Sequence, residues 1–311
     1  MKQNKNTYCH MLWDSVFINY NGKVFICCHS KPKEIGNIYK DNLKKIWTEN
    51  NKIKKLRLKS LNGSLKCCND CNLLSKEDKK NKVNYQLYKD YPRRVWLLYG
   101  EYCNQNCIMC LQDHKSKVML DNNALKNQID WTKIEDIEFQ GGEILAMKRA
   151  KELYLWLTQK MNKKVNLITN GMLINDEWAE HLAKGSNWIE ISVNAATKKT
   201  HELVNRGSNY ELVLDNIKKL IYFKDKYNLK TEIIYKYTIV KENLHEIADA
   251  IKFADALSCD FINVGYDVSV PVFLNGNLIL KEKIRNEISS IMNEDLKLKI
   301  SRKRLNYLGL L

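Results

Sequence analysis

Three cysteines, Cys103, Cys107 and Cys110, stand within eight residues in the stretch EYCNQNCIMC, residues 101–110. A closed structural zinc site wants four protein ligands, whereas a reactive metal site keeps one position for water or substrate. The spacing Cys-x3-Cys-x2-Cys can hold three irons of a cubane and leave the fourth open, so that one cluster both carries an electron and binds a ligand. Zinc fits this loop poorly. Paired zinc motifs bring a second CxxC about 12 to 20 residues on, and the next cysteine after Cys110 is Cys259.

Six more cysteines lie upstream, at Cys9, Cys27, Cys28, Cys67, Cys68 and Cys71. The chain opens MKQNKN, with no apolar run of an export signal, so a cytoplasmic location is expected, where clustered thiols stay reduced and serve metal or redox chemistry. These residues read as a small metal-stapled unit, a zinc ribbon or knuckle being one form of it. His10 and His29 adjoin the cysteines and could be ligands, although such neighbours are more often spectators or hydrogen-bond partners.

No run in the 311 residues approaches the roughly 18 apolar residues of a membrane helix. The net charge of +15 is mostly lysine, scattered among asparagine. That reads as genome composition, since a phosphate-reading surface favours the bidentate fork of arginine. Nucleic acid and membrane are therefore not expected partners.

The elements that must position the cysteines follow a clear pattern. VFINYNGKVFICC reads as a hairpin around Asn21-Gly22. Apolar Leu43, Ile46, Trp47, Ile53, Leu56 and Leu61 recur at near-helical spacing, giving one or two amphipathic helices. Residues 75–92 are polar and read as a linker or an exposed helix. Beyond them, six short apolar runs at 95–100, 134–140, 164–170, 188–194, 230–239 and 260–266 alternate with helical patterns such as NYELVLDNIKKLIYFKDKY. Repeated βα units of this kind build a parallel sheet with crossover helices. The expected fold is α/β, a partial (β/α)6 TIM-like barrel over 93–270, with a small cysteine-rich domain at 1–74 and a helical extension at 271–311 that leaves no room for a further cluster domain. Sites in such barrels collect at the C-terminal ends of the strands, and the three-cysteine loop follows the first strand.

This combination resembles the radical S-adenosylmethionine (SAM) superfamily. The resemblance implies that Gly141-Gly142-Glu143, at the end of the second strand, holds the amino group of SAM. Glycines permit close backbone approach, and a carboxylate pairs with an ammonium. It further implies that Thr169 and Asn170 in LITNG line the SAM pocket, that Ser192 and Asn194 in ISVNAATKKTHELVNRG approach the ribose or carboxylate, and that Arg206 pairs with the SAM carboxylate. Asn194 stands where the family usually has aspartate. Met109 corresponds to a bulky residue beside the adenine, with core filling as its other reading, and Asn263 and Val264 lie where the family backbone reads the adenine edge. The implied chemistry is reductive cleavage of SAM to a 5′-deoxyadenosyl radical that abstracts a substrate hydrogen. A reductase such as flavodoxin or ferredoxin would supply the electron.

The N-terminal segment resembles the auxiliary-cluster module called SPASM, or its short form Twitch. Its features run in order: Cys9 and Trp13, Gly22 and Cys27, Gly36-Asn37-Ile38, Leu43, Ile46-Trp47, Arg57, Cys68 and Cys71. The resemblance implies a second [4Fe-4S] cluster on Cys9, Cys27, Cys68 and Cys71, with Cys28 and Cys67 as alternative ligands. Relatives carry this module after the barrel, whereas here it comes first, as in the N-terminal Twitch group. They act on peptides and proteins or on sugars, nucleotides and other small molecules; a peptide or protein is the expected substrate. A zinc protein binding nucleic acid is the alternative of another class, and it leaves Gly141-Gly142-Glu143 unexplained.

Overall fold

The computed structural model describes residues 7–27, 33–65, 75–76 and 90–311. They fall into two compact units.

The first unit comprises the chain up to Glu101 with residues 116–141 and 147–165. Strand β1 (Thr7–Tyr8) pairs antiparallel with β5 (Ser75–Lys76). The expected hairpin is formed by β2 (Ser15–Ile18) and β3 (Lys23–Phe25), with β4 (Glu34–Asn37) antiparallel on its far side. Gly22 has φ +73° at the turn, and the Asn19 side chain accepts from Asn21 N–H (3.2 Å) and Lys23 N–H (3.0 Å), so an Asx turn closes the loop. Two helices follow, Leu43–Glu49 and Asn51–Leu61, each started by an asparagine cap. The Arg57 guanidinium sits 4.4 Å from the centre of the buried Trp47 ring and donates to Leu12 O at 2.9 Å. Burial pulls its pKa down to about 10, which still leaves it charged at neutral pH. Gly36 is required because a Cβ there would lie 2.8 Å from Ile46.

Strand β2 also pairs in parallel with β6 (Arg94–Leu98), which pairs in parallel with β7 (Asp136–Gln140). The sequence gives no local signal for the first of these pairings. It is supported by Arg93, which grips Asp14 through Nε at 2.8 Å and a terminal nitrogen at 3.3 Å.

The second unit holds residues 102–115, 142–146 and 166–311. Its strands β8 (Val165–Thr169), β9 (Trp188–Ser192), β10 (Glu232–Ile239), β11 (Phe261–Tyr266) and β12 (Lys299–Ile300) are parallel neighbours in that order. Ile189, Ile191, Ile233, Tyr235, Ile262 and Val264 are fully buried, as β-branched and aromatic residues on a helix-covered face should be. The alternate positions on β9, β10 and β11 include Glu190, Lys236 and Asn263. Helices Asp176–Gly185, Lys198–Val204 and Tyr210–Lys226 begin on side-chain caps from Asn175, Thr197 and Asn209. The C-terminal extension contains the helix Leu278–Ile291 and, unexpectedly, strand β12, whose two residues are too few to show periodicity. Among the described residues no helix is long and apolar enough to cross a membrane.

Candidate active site

The loop after β6 is held by its own backbone. Asn106 N–H donates to Arg206 O at 2.9 Å, Ile108 N–H to Val204 O at 3.0 Å, and Cys103 N–H to His114 O at 3.1 Å. The loop thereby gathers Cys103, Cys107 and Cys110, all unbridged and partly buried, with Met109 half-buried between the last two. Burial, and then the neighbouring sulfurs Cys103 and Cys110, push the Cys107 thiol up to about 12. Burial also raises Cys103, against a backbone hydrogen bond that lowers it.

Crowded neutral thiols are a poor store of charge, but they are a donor set that a metal converts to thiolates by displacing protons. Among the described residues no three Cys, His, Asp or Glu side chains converge on a single ion. A mononuclear tetrahedral zinc would hold its sulfurs about 4 Å apart.

Amide groups surround the sulfurs. Cys103 Sγ accepts from Gln105 N–H at 3.4 Å and from Asn170 Nδ2 at 3.9 Å. Gln105 is only 4% exposed; its Oε1 accepts from the Cys107 thiol at 3.6 Å, and its Nε2 is buried with no partner among the described residues. A cavity of about 580 Å³ is lined by Cys103, Gln105, Asn106, His114, Lys115 and Arg206. Arg206 is exposed and its guanidinium is committed to no described protein group. His114 Nδ1 is buried with no partner among the described residues.

Glu143 is fully buried in the short segment after β7. Its N–H donates to Tyr102 O at 2.8 Å. Its Oε1 accepts from Leu145 N–H at 3.0 Å and Thr169 Oγ1 at 2.8 Å, and its Oε2 from Asn170 N–H at 2.7 Å. Burial pushes its pKa up while these donors pull the other way. The carboxylate thus fixes the end of β8, where Asn170 Nδ2 also donates to Asn104 Oδ1 at 2.8 Å. In the first unit, Gly141 has φ +147°, and a Cβ there would meet Gly100 O at 2.3 Å, so only glycine fits. Gly142 begins the turn to Glu143.

At the end of β9, Ser192 is half-buried and its carbonyl accepts from Asn205 Nδ2 at 3.1 Å. Asn194, expected to face a ligand, is instead turned into the protein. It adopts φ +59°, is 4% exposed, donates through Nδ2 to Asn205 Oδ1 (2.9 Å) and accepts at Oδ1 from Thr238 N–H (2.7 Å). Short polar asparagine tolerates this left-handed conformation. His201 completes the clasp, 2.6 Å from Val193 O and 2.7 Å from Ser208 Oγ. Burial lowers its pKa, so the neutral ring donates from Nδ1 and accepts at Nε2. The sequence reading missed Gln105, Asn104, His114 and the Asn205–His201 pair; the one available signal was that the first three are polar residues inside or beside a metal-binding loop.

In the first unit Cys9 is 6% exposed, with its N–H donating to Ser60 Oγ at 2.9 Å, and Cys27 is partly buried at the end of β3. Cys28, His29, Cys67, Cys68 and Cys71 lie outside the described residues.

The model for the radical SAM superfamily matches residues 97–254, and that for the SPASM iron–sulfur cluster-binding domain matches residues 9–72. A cysteine-type anaerobic sulfatase-maturating enzyme of Clostridium novyi is 25% identical over 42% of this chain and 41% of its own length. An S-adenosylmethionine-dependent nucleotide dehydratase of Oncorhynchus mykiss is 23% identical over 46% of this chain and 43% of its own. These matches span about two fifths of the curated relatives. Among solved structures, Streptococcus suis SuiB bound to precursor peptide SuiA superposes with TM-score 0.53 at 14% identity, covering 96% of this chain and 72% of that one.

Proposed function

Since the chain belongs to the radical SAM superfamily, we propose that it modifies a peptide or protein by radical chemistry, with Cys103, Cys107 and Cys110 holding the site cluster. Its cofactors are that iron–sulfur cluster with SAM and, in the SPASM domain, a second cluster. When bound, a cluster and SAM would supply radical chemistry at this site, directed at a substrate C–H bond.

The chain's own residues do the positioning. Three thiolates leave one iron for a ligand. Arg206 offers an uncommitted guanidinium on the same cavity as Cys103, suited to a carboxylate. Gly142 lets a ligand amino group approach the backbone, and Glu143 orients Thr169 and Asn170 behind it. Ser192 and Met109 remain for the nucleoside end, whereas Asn194 serves that end through the backbone it clasps. Cys9, Cys27, Cys68 and Cys71 would hold the second cluster, a module at 1–74 joined through 75–92 to the barrel at 93–270 and the extension at 271–311. A small electron-transfer protein such as flavodoxin or ferredoxin would deliver the electron.

The observation that carries this reading is that Cys103 of the three-thiol loop shares one cavity with Arg206, whose guanidinium is committed to no described protein group. The peptide preference draws support from SuiB, solved with a precursor peptide, and from the sulfatase-maturating enzyme. The test is anaerobic SAM cleavage to 5′-deoxyadenosine by dithionite-reduced protein, with either a synthetic peptide encoded beside the gene or a panel of ribonucleotides. Faster cleavage and a mass change on the peptide support the reading. Stimulation and conversion of a nucleotide alone would replace the peptide with a small molecule.

A further inference from the structure

Gln105 is out of place by ordinary packing rules. A glutamine only 4% exposed, with Nε2 buried and unpartnered, costs free energy that a leucine of similar size would not. Its other end faces Cys107, whose thiol donates to Oε1 at 3.6 Å. That bond exists only while Cys107 keeps its proton. As an iron ligand Cys107 is a thiolate, and the carbonyl oxygen would then confront a negative sulfur. Turning the amide over about its terminal torsion, which is soft, puts Nε2–H toward that sulfur and satisfies the orphaned donor in one movement.

We propose that Gln105 is a positioning residue for the site cluster, its side-chain amide donating to the Cys107 thiolate and raising the cluster's reduction potential. This rests on the proposed function, because it needs a cluster on Cys103, Cys107 and Cys110. The physical reason is charge. One electron entering the cluster makes its sulfurs more negative, so an N–H···S bond strengthens on reduction and favours the reduced state. No bond to Gln105 forms or breaks, and its protons stay on nitrogen. Cys103 already has the matching arrangement, with Gln105 N–H at 3.4 Å and Asn170 Nδ2 at 3.9 Å.

The experiment compares Gln105→Leu with wild type in two states. In the metal-free protein, leucine removes an orphaned buried amide, so thermal unfolding should occur at the same or a higher temperature. In the anaerobically reconstituted protein, a dye-mediated titration followed by electron paramagnetic resonance reads the midpoint of the site cluster, in a background with Cys9 and Cys27 changed to Ala to silence the second one. Gln105→Leu should favour the oxidised state about tenfold, a shift of about −59 mV for one electron. Gln105→Asn, which keeps an amide on a shorter arm, should fall between. An unchanged midpoint in a leucine variant with full iron content overturns the proposal and leaves the proposed function standing. Absence of iron from both wild type and variant would overturn that function itself.

Discussion

Replacing Glu143 with glutamine tests the idea that this carboxylate is a structural tie at the end of β8. The carboxylate receives three donors, from Leu145, Thr169 and Asn170, at 2.7–3.0 Å in a fully buried position. An amide has only one acceptor oxygen. If that oxygen keeps Leu145 and Thr169, the amide nitrogen faces Asn170 N–H, donor against donor. Each buried donor left unmade costs about 1–3 kcal/mol. Two are affected, but the variant escapes the burial cost that raises the carboxylate's pKa. A net loss of about 2 kcal/mol follows, which for a chain of this size lowers the Tm by roughly 4 °C. The assay is thermal unfolding of metal-free protein followed by circular dichroism. Glu177→Gln, on a side chain 71% exposed, serves as control and should change little. A Glu143→Gln variant as stable as that control would refute the reasoning, because the three contacts would then carry no net free energy.

Other outcomes follow from the same geometry. Arg206→Ala should weaken SAM binding by about 10- to 100-fold, the value of a charge-assisted hydrogen bond, with Tm unchanged because the side chain is committed to no described protein group; calorimetric titration reads both affinity and sign. Because burial and neighbouring sulfurs push Cys107 up to about 12, its thiolate fraction at pH 8 is about a thousandfold below that of an unperturbed cysteine. Iodoacetamide should therefore label Cys107 of the metal-free protein at least a hundredfold more slowly than a model peptide, by mass spectrometry. Glu246 accepts from Ala196 N–H and from the hydroxyls of Thr197 and Thr200. Although burial raises its pKa, these bonds outweigh it and the net shift is downward. The stability they give is present above the unfolded carboxylate value near about 4.3 and is lost as pH falls through the lower folded value. Glu246→Gln should thus be less stable than wild type at pH 7 by about 1–3 kcal/mol, with the gap closing below about pH 4 in denaturant titrations.

The barrel strands were legible because each is a short apolar run ending at a turn, and the buried faces of β6 to β11 come from those runs. Helices such as Asp176–Gly185 and Lys198–Val204 are short and lack a long apolar stripe, so the sequence pattern marks them less clearly than Tyr210–Lys226. The pairing of β2 with β6 joins residues nearly 80 positions apart in sequence, and no local pattern encodes it. The cysteine loop, Glu143 and Arg206 were legible as residue types at telling positions. Their environments were not. That Glu143 is saturated by protein donors, that Asn194 turns inward at positive φ, and that Gln105 is buried all depend on packing, which a one-dimensional pattern does not contain.

The central claim is that Cys103, Cys107 and Cys110 hold a cluster that supports SAM cleavage. Iron and sulfide quantitation of anaerobically reconstituted protein, beside a variant with these three cysteines changed to Ala, tests it most directly when followed by a dithionite assay for 5′-deoxyadenosine. The account predicts about eight irons in wild type, about four in the variant, and cleavage by wild type alone. Zinc in place of iron, or equal iron in both proteins with no SAM cleavage, would contradict it.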